Sequence, residues 1–250
     1  MLNAERHNLI IERLKRNGSV KLMDLVEVSG SSESTIRRDL AELEEMGVLK
    51  RVHGGAILGQ DRTIEMSMIE KSVTNVQAKK GIAELAASTV VEGDCIYLDA
   101  GSTTFEMIDF LRGRNITVVT NGLMHVEELV SLDLDAYILG GKMKARTKAI
   151  IGAIALDNIA NYRFDKAFIG ANGVHLIDGY TTPDMEEALL KRRAMSLADE
   201  TFILADASKL HHSHFAKIFD LADGVLIMNQ VKPEEKSILM KKTNVLEVQE

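Results

Sequence analysis

With 250 residues the chain has room for one large domain, or for a domain of ordinary size joined to a small module, and we expect the second arrangement. Its net charge of −7 excludes a uniformly basic nucleic-acid binder, but residues 1–58 hold nine Lys and Arg against nine Asp and Glu, so the whole deficit falls beyond residue 58. No run approaches the ~18 apolar residues of a membrane helix, and the single cysteine, Cys95, excludes an intramolecular disulfide.

The N-terminal stretch MLNAERHNLIIERLKRNG mixes both charge signs and lacks a signal-peptide cleavage pattern, so a soluble, cytoplasmic protein is expected. From Asn3 to Arg16, Leu9, Ile10 and Leu14 fall on one helical face, and Asn17-Gly18 supplies the stop. A second helix is predicted from Lys21 to Val28, with Leu22, Leu25 and Val26 on a common face. Ser31 and Ser32 are N-cap residues for a third, in which Ile36, Leu40, Leu43 and Met46 form an apolar stripe that ends at Gly47. A helix, a short helix, a tight turn and a third helix opening on Ser, Thr and Arg is the order that seats a recognition helix in the major groove of double-stranded DNA. Candidate contacts are Ser32 at its start and Ser34, Thr35, Arg37 and Arg38 on its exposed face. Next, VLKRVHGGAIL reads as strand, glycine turn and strand, a wing whose Lys50, Arg51 and His53 meet phosphates flanking the groove while Gly54 lets the backbone approach. The acids Glu42, Glu44 and Glu45 are expected to lie away from this cluster.

The stretch SESTIRRDLAELEEMGVLKRVHGGA closely resembles the N-terminal signature of the DeoR family of bacterial sugar-metabolism regulators. That family commonly carries an aliphatic residue where this chain has Ser31, a departure expected to loosen the packing of the second helix on the third without touching the contact residues.

Residues 59–76 are polar, with the Met-rich IEMSMIEK and no clear periodicity, and are expected to link a DNA-binding domain (1–58) to a second domain (77–250), turning helical near Lys71. From Lys79 onward, helix-like segments alternate with the short β-rich runs CIYLD, ITVVT, DAYIL, KAFIG, TFILA, GVLIM and NVLEV. This alternation predicts an α/β fold, a mainly parallel, Rossmann-like sheet with helices on both faces and ligands beyond the carboxyl ends of the strands. After CIYL, Asp99 and Ala100 lead into Gly101, Ser102, Thr103 and Thr104 at a helix start, which offers N–H and hydroxyl donors to an anion. Later strand ends carry Thr120-Asn121-Gly122, Gly140-Gly141-Lys142, Gly170-Ala171-Asn172-Gly173 and Asp206-Ala207-Ser208-Lys209. Small and polar residues at so many strand ends suit a polyhydroxylated, anionic ligand. Cys95, inside CIYL, is read as a buried structural thiol, the methionines as core filler, and His211, His212 and His214 as a surface turn, with no metal site.

The stretches DAGSTT, TNG, LGGKMKARTKAIIG, AFIGANGV, DGYTTPDMEEALLKR and ADASKL are similar to the DeoR-type sensor domain, which resembles the fold of ribose-5-phosphate isomerase and glucosamine-6-phosphate deaminase. That resemblance implies a phosphorylated sugar as effector, such as a ketohexose phosphate. It implies a phosphate on Ser102, Thr103 and Thr104, with Lys79, Lys209 or Arg146 as counter-charge. Asp99, Asn121, Asn172, Glu187 and Asp206 would address sugar hydroxyls, with Gly141 beside them and Lys191 as a second cation. No cofactor is implied. The expected function is repression of a sugar-utilisation operon, relieved by the effector, by a homodimer or homotetramer matched to operator half-sites. The rivals are an activator and an isomerase- or deaminase-like enzyme using Asp99, Glu187 and Lys191 for proton transfer; a metabolic enzyme, however, has no use for a winged helix.

Overall fold

In the computed structural model, which describes residues 3–45, 48–58, 62–63 and 65–248, the chain divides into two units, residues 1–64 and 65–250. In the first, α1 (Asn3–Asn17), β1 (Ser19–Lys21), α2 (Leu22–Ser29), α3 (Glu33–Glu45), β2 (Leu49–Val52) and β3 (Gly55–Leu58) enclose a core that includes Ile10, Leu14, Leu25, Ile36, Leu40 and Leu43. Helical periodicity turns the last three of these inward and leaves Ser34, Arg37 and Arg38 in solvent. Ser32 caps α3, its hydroxyl accepting from the Thr35 N–H at 3.2 Å. Met46 and Gly47, expected to complete the stripe and stop the helix, lie outside the described residues. Arg6 locks α1 to α3 by donating to both carboxylate oxygens of the fully buried Asp39, at 2.7 and 3.0 Å. The wing is the β2–β3 hairpin, antiparallel through Val52 and Gly55 around the His53-Gly54 turn. A side chain at Gly55 would fall 2.0 Å from the Val20 carbonyl, because β1 pairs with β3 there.

Of the expected linker, residues 59–61 and 64 lie outside the described residues, and from Glu65 onward it belongs to the second unit. This unit begins with α4 (Met68–Ser72), held by a Ser67–Glu70 capping box, and α5 (Val76–Ser88). Then follow β4 (Cys95–Leu98), α6 (Ser102–Met107), β5 (Thr117–Thr120), α7 (Leu123–Ser131), β6 (Asp135–Ile138), β7 (Lys142–Lys144), β8 (Ala149–Ile151), α8 (Ala153–Ile159) and β9 (Phe164–Gly170). The remainder is β10 (Gly173–His175), β11 (Gly179–Thr182), α9 (Met185–Met195), β12 (Ala198–Leu204), β13 (Ala216–Phe219), β14 (Val225–Met228), α10 (Pro233–Leu239) and β15 (Val245–Glu247).

All seven β-rich runs enter one sheet in the order β15-β14-β12-β9-β4-β5-β6, with every neighbouring pair parallel. Alternate side chains feed two cores. Ile96, Leu98, Phe168, Phe202 and Leu204 meet Ile82 and Ala86 of α5 and Leu129 of α7. Tyr97, Ala167, Ile169 and Ile203 meet Ala155 of α8, Ala188 and Ala194 of α9 and Leu239 of α10. Burial on both faces explains the apolar runs of the inner strands β4, β5 and β14, whereas the edge strand β6 is exposed along its length. The short antiparallel pairings β7-β8 and β10-β11-β13 were not foreseen. Cys95 is half-buried rather than buried, because it stands at the amino end of β4, where its N–H donates to Asp165 at 2.7 Å.

At the other end of the sheet, Thr120 and Gly122 pack on His125, which is buried and whose Nδ1 lies 3.2 Å from the Thr120 hydroxyl. A Cβ at Gly122 would sit 1.7 Å from that nitrogen, so only glycine fits. Burial lowers the pKa of His125 from 6.5 to about 4. The folded state keeps the ring neutral while the unfolded chain protonates it below pH 6.5, so this contribution to stability is complete above pH 6.5. It is lost as pH falls from 6.5 toward 4, and changes no further below that. Urea unfolding of the second unit at pH 7 and pH 5 should show a loss of about 2 kcal/mol from this group, which His125→Gln would lack.

Candidate functional site

A cavity opens past the carboxyl ends of β4, β9 and β12. It lies where the strand order reverses, since successive strands leave β4 on one side through β5 and β6 and on the other through β9, β12 and β14. Asp99 marks this point. Its Oδ2 accepts from the Gly170 N–H at 3.0 Å and from the Lys191 ammonium, joining the ends of β4 and β9 to α9. Gly170 has no side chain to intrude; a Cβ there would lie 3.3 Å from the same oxygen.

Of the residues expected to address a ligand, Lys79, Asp99, Gly101, Ser102, Thr103, Asn172, Glu187, Lys191, Asp206 and Lys209 line the cavity. Three do not. Thr104 is fully buried, its Oγ1 accepting from the Gly101 N–H at 3.0 Å and donating to the Asp99 carbonyl, so it ties the loop rather than a ligand. Asn121 accepts from the Ala100 N–H and the Tyr97 hydroxyl, each at 2.9 Å, and donates to the Ile150 carbonyl at 3.0 Å. It therefore braces the same loop from behind. Gly141 stands outside the cavity, where a Cβ would meet the Ile151 carbonyl at 2.8 Å; close packing of β7 on β8 accounts for it.

Among the described residues, the Ser102 and Thr103 hydroxyls and the Lys209 ammonium make no intramolecular hydrogen bond or ion pair, so they remain available to a ligand. Lys79 is buried. Its ammonium donates to the Thr74 carbonyl at 2.7 Å and to the Lys71 carbonyl, and burial lowers its pKa against the opposing charge of Asp206. Asp206 accepts from Asn75 at 3.1 Å and from the Ser208 N–H at 3.0 Å.

Met66, Met68, Lys71, Thr74 and Thr147 also line the cavity and were missed. Next to it, Glu187 accepts from Thr147 at 2.7 Å and from Lys144 at 3.0 Å, and Lys144 reaches Asp184 at 2.9 Å. Burial opposes the charge on Lys144, yet Glu187 and hydrogen bonds to Glu65 and Asp184 outweigh it and raise its pKa. Arg146 points elsewhere, donating to the Glu65 carbonyl. Only the polar run ARTK hinted at any of these partners.

In the first unit a hollow between α3 and the wing is lined in part by Arg37, Arg51, His53 and Gly54. Ser34, Arg38 and Lys50 are exposed, and Thr35 is half-buried. Two of the four basic side chains are already paired. Glu33 accepts from Arg37 at 2.6 Å, an i, i+4 contact readable from sequence. Glu44 accepts from the Arg51 N–H at 2.8 Å and pairs with its guanidinium at 3.0 Å, so the expectation that this acid lies away from the cluster was wrong: the hairpin folds back on α3. Among the described residues Arg38 and Lys50 have no such partner.

Among the described residues, the donors that converge as a metal site would require are His7, Asp39 and Glu42, and none of the His211–His214 group. Arg6 already occupies both Asp39 oxygens and supplies the charge a cation would bring. His211 faces Glu235 at 3.2 Å.

Two family models match this chain, the DeoR-like helix-turn-helix domain over residues 6–62 and the DeoR C terminal sensor domain over residues 74–229. It is 50% identical over 228 residues, 91% of each chain, to FruR of Bacillus subtilis, named as an uncharacterized HTH-type transcriptional regulator. A putative aga operon transcriptional repressor of Escherichia coli O157:H7 is 34% identical over 87% of this chain and 82% of its own. The lactose phosphotransferase system repressor of Staphylococcus epidermidis is 33% identical over 94% of this chain and 96% of its own. Among solved structures, ribose 5-phosphate isomerase A of Methanocaldococcus jannaschii is 19% identical over 55% of each chain, with a TM-score of 0.42. The chain is a DNA-binding transcriptional regulator, and it belongs to the DeoR family.

Proposed function

We propose that this protein represses a sugar-utilisation operon and that a phosphorylated sugar, of which a ketohexose phosphate is one form, releases it from its operator as a two-fold oligomer. The observation that carries the reading is the cavity at the reversal of strand order. It combines the open hydroxyls of Ser102 and Thr103 and the open ammonium of Lys209 with Asp99, Asn172, Glu187 and Asp206. Hydroxyl and ammonium donors suit a phosphate, whereas carboxylates and an amide suit a polyol. Relatives named as repressors of the aga operon and of a lactose phosphotransferase system support the sign and the class of operon.

The effector reading is tested by thermal shift with a panel of pentose and hexose phosphates, because a ligand of the folded state raises the melting temperature by mass action. At least one sugar phosphate should stabilise the wild type, and the parent sugar should not. Thr103→Glu, which places a negative charge where the phosphate belongs, and Lys209→Ala should lose the shift and stay on operator DNA in its presence. A normal response from both variants would remove the phosphate from this loop.

On the DNA side, Arg38 and Lys50 are ready to meet phosphates or bases, while Arg37 and Arg51 must first share or leave an acid. Lys50→Ala should weaken binding to all sequences alike and make the salt slope shallower by about one. Arg38→Ala should cost at least about tenfold in operator affinity. Glu33→Gln, which frees Arg37, should strengthen it. Operator titrations at two salt concentrations decide. Tight binding by Arg38→Ala, or weaker binding by Glu33→Gln, would contradict this division of labour.

A further inference from the structure

Residues 65–75 open the second unit and run straight on from the first in sequence. The segment is sewn to the cavity at three points. Glu65, with its side chain 5% exposed, sets its carboxylate between Lys144 at 2.5 Å and Lys71 at 3.4 Å. The Arg146 guanidinium donates to the Glu65 carbonyl, and the Arg146 carbonyl accepts from the Met68 N–H at 2.9 Å. Lys79 holds the other end through the carbonyls of Lys71 and Thr74. Lys144 and Lys79 are thereby shared between this segment and the ligand-facing side chains Glu187 and Asp206.

Lys71 is the odd member of this network. Its side chain is 19% exposed and lines the cavity, yet among the described residues its ammonium, with three protons to donate, has a single long contact, with Glu65. Burial depresses its pKa more than Glu65 and Glu187 raise it. A largely desolvated ammonium with one distant acceptor is stabilised by any anionic oxygen that enters the cavity. The same oxygen repels the Glu65 carboxylate.

We propose that Lys71 is part of the effector's anion site and that Glu65 is its built-in competitor, so that an incoming phosphate takes Lys71, expels Glu65 and loosens residues 65–75. This rests on the effector reading above, and it names how occupancy of that cavity reaches the chain that leads to the DNA-binding unit. A ligand shifts a conformational balance only through a difference in affinity for its two states. Here that difference is the Glu65 contact, present without the phosphate and lost with it.

The test uses the full-length protein with inorganic phosphate, a ketohexose 1-phosphate and a hexose 6-phosphate as probes. It measures affinity together with amide hydrogen exchange of residues 65–75. Lys71→Gln should bind the effective probe about tenfold more weakly. Glu65→Gln should bind it severalfold more tightly, because the competitor is gone. In the wild type, exchange of 65–75 should quicken on adding the probe, whereas in Glu65→Gln it should already be fast without it. Wild-type affinity in Glu65→Gln, or slower exchange of 65–75 in the liganded wild type, overturns the proposal even if Lys71→Gln fails to fold. If the wild type binds a probe, Thr103→Glu abolishes binding and both new variants match wild type, only this proposal falls. If the wild type binds no phosphate at all, the effector reading falls with it.

Discussion

The cavity of the second unit depends on the buried contact of Asp99 with Lys191 and the Gly170 N–H. A carboxylate only 2% exposed is held in place by its partners, and removing one would leave an uncompensated charge at a cost of several kcal/mol. Those partners come from β9 and α9, while Asp99 directly follows β4. The contact therefore fixes three elements around the one place in a parallel sheet where neighbouring connections diverge and a crevice opens. Asn121 and Thr104 then shape the loop from Asp99 to Thr103, which frees the Ser102 and Thr103 hydroxyls to face inward. Among the described polar side chains that line the cavity, Ser102, Thr103 and Lys209 are left over after the scaffold has engaged Asp99, Lys191, Glu187, Lys79 and Asp206.

That division explains what could be read from the sequence. Strands buried on both faces need mostly apolar side chains, so CIYL, TVVT and the KAFIG part of β9 announce themselves, as does the stripe of Ile36, Leu40 and Leu43 in α3. The strand ends with small and polar residues could be located too. Their individual duties could not, because Thr103 and Thr104 are the same residue type one position apart, and only the helical rotation turns one to the cavity and the other to the Asp99 carbonyl. Glu44 with Arg51, and Glu65 with Lys144, are pairs made by tertiary folding with no local spacing to betray them. The strands β10, β11 and β13 are short and pair antiparallel outside the main sheet, so their sequences show no long apolar run.

Electrostatic balance recurs in both units. At α3, Glu33 and Glu44 each hold an arginine; near the cavity, Glu65, Asp184 and Glu187 crowd Lys144. Pre-paired cations of this kind reduce the affinity for any phosphate, because the acid must be displaced, and in return they discriminate against ligands that cannot displace it. A regulator needs such restraint, since it must leave its operator as well as find it.

The proposed coupling of a sugar phosphate in the cavity to release of DNA is made quantitative by linkage. The most direct measurement is operator affinity with and without a saturating stabilising sugar phosphate, paired with affinity for that sugar phosphate with and without operator. We expect both affinities to fall by the same factor. Independence of the two, or mutual tightening, would contradict the account.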